Sequence, residues 1–472
     1  MSSSRSLAVP FVLVALLSLL PLAGGAQDAT PSSGELPAGV EVVASGLTNP
    51  RGFTWDADGN LYLALAGSGG PDQIAVEGTP LPFFVGPTSS IARVEDGCAV
   101  PLAGGIGSLL WTEPGWIWGA MDLAMLDGQL YALLGAGMPD GPNGIYRVNA
   151  DGSIELAADL AAWLGENPPE FVPFDYDPTG SWFDLEAGSD RLWVSEAVGG
   201  RLLSVTPDGE ITQIADLSVG HMVPTGIALA PDGGAYVNHE TVVPFPDGAA
   251  TVIHVALDGT VTDAWTGLTA GTDLVMGPDD VLYAAEMATG NDDEPPYLQP
   301  GTGRIVRQTG PDSLEPVVTG IDYPVYLGFD SDGALYLTYP AFGPDAGEGQ
   351  GALLRLDVSG DLPISLAGLG ELAPSCGGEA SAPAPVADTG ATASVTIADF
   401  AFAPPELVVA AGETVTWVNQ DWAPHTATAG DGGFDSGRLD QDGSFSHTFT
   451  EPGTYAYACA FHPGMTGSIV VE

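Results

Sequence analysis

Between residues 41 and about 370 the chain is a succession of short apolar runs broken by polar turns, and one pattern returns six times. The fragments are GFTWDADGNLYLAL (52–65), DLAMLDGQLYALL (122–134), DLEAGSDRLWVSE (184–196), GIALAPDGGAYVNHE (226–240), DLVMGPDDVLYAAE (273–286) and YLGFDSDGALYLTY (326–339). Each reads as an apolar strand, a turn rich in Asp and Gly, and a second strand carrying an aromatic residue, which is the pattern of a β-hairpin. Further strand–turn–strand runs follow, as in GIYRVNADGSIELAADL, RLLSVTPDGEITQIADL and TVIHVALDGTVTDAWTGL, adding a third and a fourth strand. Helical periodicity is nearly absent. Six copies of a four-stranded unit predict an all-β fold, a six-bladed β-propeller.

The segment EVVASGL (41–47) matches the fourth-strand fragments yet precedes the first hairpin. It is expected to complete the last unit beside GALLRLDV, with DLPISLAGL (361–369) competing for that place. The region resembles the secreted propellers of the ScyD/ScyE family and, more distantly, NHL-repeat and gluconolactonase-like propellers. The opening GLTNPRGFTWDADGNLYLA carries most of that likeness. It implies an architecture and no particular activity.

After Cys376 the composition changes to GGEASAPAPVADTGA, small and Pro-rich, which reads as a linker. Beyond it lies a second alternating pattern: ASVTIADFAF, ELVVAAGETVTWVNQD, then SFSHTFTEPGTYAYACA and GSIVVE. These strands predict a small β-sandwich. The expected organisation is a segment 1–26, a propeller over 35–376, a linker over 377–390 and a sandwich over 391–472.

The segment 1–26 carries Arg5, the apolar run LAVPFVLVALLSLLPLAGGA and a small-residue cleavage site at Gly24-Gly25-Ala26, the pattern of a secretory signal peptide. The expected location is outside the cytoplasm, extracellular or periplasmic. No later apolar stretch is long enough for a membrane span. Charge narrows the partners further: 10 Lys+Arg, all of them Arg, stand against 61 Asp+Glu, a net charge of −51. Such a chain repels nucleic acid and anionic lipid. The excess serves either solubility and tolerance of salt, or the steering of a basic partner and the capture of divalent cations.

Chemistry concentrates at the chain's last turn, where Cys459, His462 and Met465 are spaced C-x2-H-x2-M in YACAFHPGM. A thiolate, an imidazole and a thioether on one loop suit a soft metal ion. Zinc also takes Cys and His, but methionine is a poor zinc ligand, which favours copper. If Cys459 is a metal thiolate, Cys98 and Cys376 remain as a pair in an oxidising compartment, and a disulfide between them is expected. His447, in FSHTFT, reads as an ordinary strand histidine.

NQDWAPHTATA followed by FTEPGTYAYACAFHPGM resembles the cupredoxins, the small type 1 copper proteins of the plastocyanin–azurin family, and the short final loop is most similar to amicyanin. Position by position, the resemblance implies His425, Cys459, His462 and Met465 as ligands of one type 1 copper, and Asn419 as a residue holding the first histidine's loop. It also implies one-electron transfer, with His462 as the exit. The module's ten Asp+Glu and single Arg438 would steer a basic redox partner. Two other readings stand beside a secreted electron carrier with a docking propeller: a metal-dependent hydrolase or lactonase with the cupredoxin as accessory, and a copper-binding or storage protein. No G-x-S-x-G nucleophile motif occurs.

The repeats offer a second candidate cation site. Aligned on Tyr62, Tyr131, Trp193, Tyr236, Tyr283 and Tyr336, with single-residue gaps in the second and third, one upstream position holds Gly52, Asp122, Asp184, Gly226, Asp273 and Tyr326. That position begins the innermost strand, facing the expected channel. Three carboxylates there repel one another unless a cation, protons or backbone donors offset the charge. Capping of backbone amides is one expectation. A hard-cation site, calcium first, is the other.

Overall fold

Each of the six repeat fragments folds into two neighbouring antiparallel strands, because its apolar residues alternate along runs short enough to be spanned by one sheet. The computed structural model describes residues 36–376 and 393–471, apart from 71, 75–82, 112–115, 136–142, 174–175, 293–296, 341–348, 368, 370–371, 373, 399–400, 404–405, 410–413, 420–424, 430–433, 435, 437–438, 440–442, 450–452 and 460–464. Residues 1–26, expected as a signal peptide, residues 377–390, expected as a linker, and His462 lie outside the described residues. The chain divides into two units, Met1–Glu379 and Ala380–Glu472. Both are nearly all β; the one helix among the described residues, Leu160–Glu166, is capped by Asp159, whose carboxylate accepts the Ala162 amide. No helix among the described residues is long and apolar enough to cross a membrane.

In the first unit the described strands form six separate sheets. The first strands of the sheets, in chain order, are Pro50–Trp55, Ala120–Leu126, Trp182–Ala187, Val223–Leu229, Gly271–Met276 and Leu327–Phe329. Sheets two, three and four are four-stranded meanders in chain order. The first sheet is enlarged by a long hairpin, Phe83–Glu95 with Cys98–Trp111. The sixth takes its outer strand from the start of the chain: Val40–Leu47 pairs antiparallel with Gly351–Leu356. The competing segment, Ile364–Ser365, pairs in parallel with Ser313–Ile321 of the fifth sheet.

Apolar clusters join consecutive sheets face to face. Ala64 and Ile91 pack with Leu123 and Ala132; Leu133 and Ile145 pack with Leu185 and Val194; Trp193 and Leu202 pack with Ile227 and Val237. The series continues with Val252 and Trp265 against Leu274 and Ala284, then Ile305 and Val318 against Leu335 and Leu354. Finally Tyr326 and Leu353 of the sixth sheet pack on Phe53 and Leu63 of the first. Every middle strand is therefore covered on both faces, which is why Leu192–Glu196 and Arg201–Val205 are buried throughout. A disulfide joins Cys98 to Cys376 with Cα atoms 5.5 Å apart. Beside it Ser375 Oγ accepts the Ser45 amide at 2.8 Å and donates to Gly97 O at 2.6 Å.

The second unit is a pair of four-stranded sheets. One is ordered Ala401–Ala403, Ala393–Ala398, Thr414–Asn419, Ser444–Thr448; the other Glu406–Val409, Thr466–Val471, Gly453–Ala458, Thr428–Ala429. Alternation aims Val415, Trp417 and Asn419 inward from one sheet and Tyr457 from the other. Trp417 is the centre of the core, with Phe434, Phe445 and Tyr457 rings 5.2–5.7 Å from it.

Candidate metal centre

Cys459 is the next inward position after Tyr457 on an alternating strand, so the strand's own period carries its thiol into the core, where it is 4% exposed. The Cys459 amide donates to Met465 O at 3.0 Å, closing the loop between them and placing Met465, also buried, at the same end. His425 reaches that end from a different part of the chain. It forms an isolated antiparallel bridge with Leu439, through His425 N to Leu439 O at 2.9 Å and Leu439 N to His425 O at 2.7 Å. The fully buried Asn419 side chain donates to the same Leu439 oxygen at 2.9 Å and so fixes the bridge to the sheet.

These constraints leave His425 Nδ1 3.7 Å from Cys459 Sγ. The Thr426 amide donates to the same sulfur at 3.3 Å. The donor set fits a copper ion. An imidazole nitrogen and a thiol sulfur 3.7 Å apart could both bind one soft ion, and the thioether of Met465, buried at the same end, would supply a further soft donor. Of the four residues expected as ligands, His425, Cys459 and Met465 are brought to one end of the core, and His462 lies outside the described residues. His447 lies instead on the strand Ser444–Thr448, stacked on Phe434 at 5.0 Å.

Comparison with known proteins agrees with this geometry. Residues 390–472 match the model of the copper binding proteins of the plastocyanin/azurin family. Amicyanin of Paracoccus versutus is 36% identical over 96 residues, which are 19% of this chain and 73% of that protein. The chain belongs to the plastocyanin/azurin family. Amicyanin of Paracoccus denitrificans is 42% identical over 83 residues, 16% of this chain, and the chain spans 63% of that relative's length. Plastocyanin of Scenedesmus fuscus is 37% identical over 84 residues, 15% of this chain and 86% of that protein. The family's share of the chain is thus its second unit, a cupredoxin domain that carries the C-x2-H-x2-M loop.

The first unit gathers the three repeat aspartates inside the packed sheets, each less than a tenth exposed. Each carboxylate accepts two backbone amides, one from its own strand and one from the following sheet. Asp122 takes Leu123 N at 2.7 Å and Leu185 N at 2.8 Å. Asp184 takes Leu185 N at 2.9 Å and Ile227 N, and Asp273 takes Leu274 N at 2.7 Å and Leu327 N at 2.6 Å. The glycines at the same repeat position make room: a Cβ at Gly52 would overlap the Asp122 carboxylate, and one at Gly226 would overlap the backbone at Asp273 and Leu274. Burial, and then the nearby Asp184 charge, push Asp122 and Asp273 well above the usual carboxylate range. Asp184 is raised by burial, while its hydrogen bond with Asp122 works the other way. Among the described residues no group of three or more His, Cys, Asp or Glu is arranged to hold a metal ion.

Two side chains neighbour this ring: Tyr326, which the repeat alignment places there, and Arg51, which the sequence reading did not single out. Tyr326, at the sixth repeat position, donates its hydroxyl to Phe183 O at 2.6 Å. Arg51 is 3% exposed and donates to Pro50 O and Ile117 O; burial lowers its pKa to about 10. The alternation of Pro50–Trp55 gives no warning of that arginine, since it sits beside the bulge where the strand's register shifts.

Proposed function

We propose that the protein is a secreted blue copper protein that transfers single electrons through a type 1 site made by His425, Cys459, His462 and Met465. The observation that carries this reading is the buried approach of His425 Nδ1 to Cys459 Sγ, with the Thr426 amide on the same sulfur. When bound, copper supplies a couple that takes up and releases one electron. The chain's own residues do the rest. Asn419 and the Leu439 bridge hold His425 where it stands, so little rearrangement accompanies the change of charge. The aromatic core around Trp417 excludes water from the sulfur. His462, beside Phe461, Pro463 and Met465 in the sequence, is the exit for the electron in this reading.

The first unit is, in the same reading, a six-bladed propeller of the ScyD/ScyE kind that docks the redox partner. Six sheets packed in cyclic order, with the sixth completed by the first strand of the unit, support it. A net charge of −51 supports a basic partner. The test is electron exchange between the copper-loaded protein and a basic c-type cytochrome, followed by stopped flow. The reading expects a fast reaction that slows steeply with added salt. A rate that salt leaves unchanged, or one equalled by an acidic partner, would contradict the docking.

A further inference from the structure

The carboxylate ring of the first unit is the floor of a cavity of about 250 Å3. Its inner end is closed by Asp122, Asp184, Asp273 and Tyr326, all buried; its other end, at Trp55, Met125, Glu186 and Phe329, is partly exposed. None of its lining residues is Lys, Arg or His. Phe53, Trp55, Tyr326 and Phe329 are its aromatic lining residues. Trp55 is fixed edge-on by Phe53 at 5.3 Å and by Tyr336 at 5.2 Å, and Phe329 stands edge-on to Tyr283 at 5.0 Å.

The floor and the wall differ in what they can still accept. Both oxygens of each aspartate already take backbone amides. Glu186 has only the amide of Ala187, at 3.2 Å, so its carboxylate retains most of its capacity to bind a donor. The free acceptor capacity of the Glu186 carboxyl and the aromatic residues of the lining suit a cationic head that can donate hydrogen bonds and that carries an apolar body. Calcium needs six to eight oxygens, whereas each floor carboxylate oxygen is already bonded to a backbone amide. The volume of about 250 Å3 suits a small molecule built on a ring.

We propose that this cavity binds a small organic cation, with its ammonium group against Glu186 and its apolar body against Phe53, Trp55 and Phe329. Binding has a proton signature. In the empty cavity burial, followed by the charge of Asp184, pushes Glu186 up to about 8. Asp122 and Asp184 from the second and third sheets, Asp273 from the fifth and Tyr326 from the sixth line the same cavity, and Arg51 is not among its lining residues. A bound cation favours the ionised carboxylate, so Glu186 gives up its proton as the ligand enters at pH 7.

The experiment is calorimetry on the full chain with benzylammonium, its neutral counterpart benzyl alcohol, and calcium chloride, each in two buffers of different ionisation heat. Benzylammonium is expected to bind with release of a proton, and the alcohol at least about tenfold more weakly. Glu186→Gln should lose about tenfold in affinity and the proton release with it, and Trp55→Leu should weaken binding while leaving the proton release in place. The second variant keeps the test open if the first does not fold. Equal binding of the alcohol, unchanged affinity in both variants, calcium binding in place of the amine, or no heat with any of the three would overturn the proposal. None of these outcomes touches the copper site, which lies in the other unit.

Discussion

His425 Nδ1 and Cys459 Sγ face each other at 3.7 Å although 34 positions separate them in the chain. The framework behind the histidine includes its two backbone bonds to Leu439 and the Asn419 side-chain amide on the same Leu439 oxygen. Asn419→Ala leaves the four expected ligands in place and removes that brace. Copper affinity should fall by about 10–100-fold with the domain still folded, the range seen when a group supporting a metal ligand is removed. Competition against a calibrated chelator measures it, and an unchanged affinity would mean that the bridge alone positions His425.

Met465 is buried at the same end and closes the loop through its carbonyl, not through its side chain. Met465→Gln therefore keeps the loop closed and exchanges only the thioether that would be a weak donor to copper. The colour should persist and the reduction potential should shift, because a weak thioether donor would tune the ion more than hold it. Voltammetry of the variant reads this directly, and loss of all colour would assign Met465 a larger part in binding.

Asp273 bonds the fifth sheet to the sixth through Leu327 N while also taking Leu274 N. Asp273→Ala strips two buried amides of their acceptor and should cost the first unit about 2–4 kcal/mol. Asp273→Asn keeps one acceptor oxygen and should cost less. Thermal unfolding with and without calcium separates this role from the cation site expected from the sequence. A loss that appears only when calcium is present would favour the cation.

Buried carboxyls set the pH dependence of the same unit. Burial raises Glu196, which is 0% exposed, to about 7, and Glu186 and Glu240 to about 8, against about 4.3 in an unfolded chain. Folded carboxyls that hold protons more tightly than unfolded ones favour the fold at low pH. Their contribution is fully present below about pH 4.3 and is lost as the pH rises through 7 to 8. Denaturant midpoints should therefore fall from pH 5 to pH 9. A midpoint that rises across that interval would contradict the assignment.

What the sequence discloses here is what has a short period. The two strands of each repeat fragment are set by alternation over five or six residues, and the inward aim of Tyr457 and Cys459 follows from the same count. The C-x2-H-x2-M spacing is legible because one loop holds three of the expected donors. Contacts between distant segments leave no such trace. The second amide on each aspartate comes from a strand about 40 to 60 residues later, and Tyr326 bonds to Phe183 across 143 positions. The parallel pairing of Ile364–Ser365 and the long hairpin Phe83–Trp111 likewise depend on which neighbours the folded sheets leave open.

The central claim is that Cys459 is a copper thiolate, and the spectrum of the copper-loaded full chain tests it most directly. Adding one equivalent of copper(II) should produce an intense visible charge-transfer band and a matching paramagnetic signal, both of which disappear on one-electron reduction and are absent in Cys459→Ser. A colourless copper complex, or a serine variant that stays as blue as the native protein, would contradict the account.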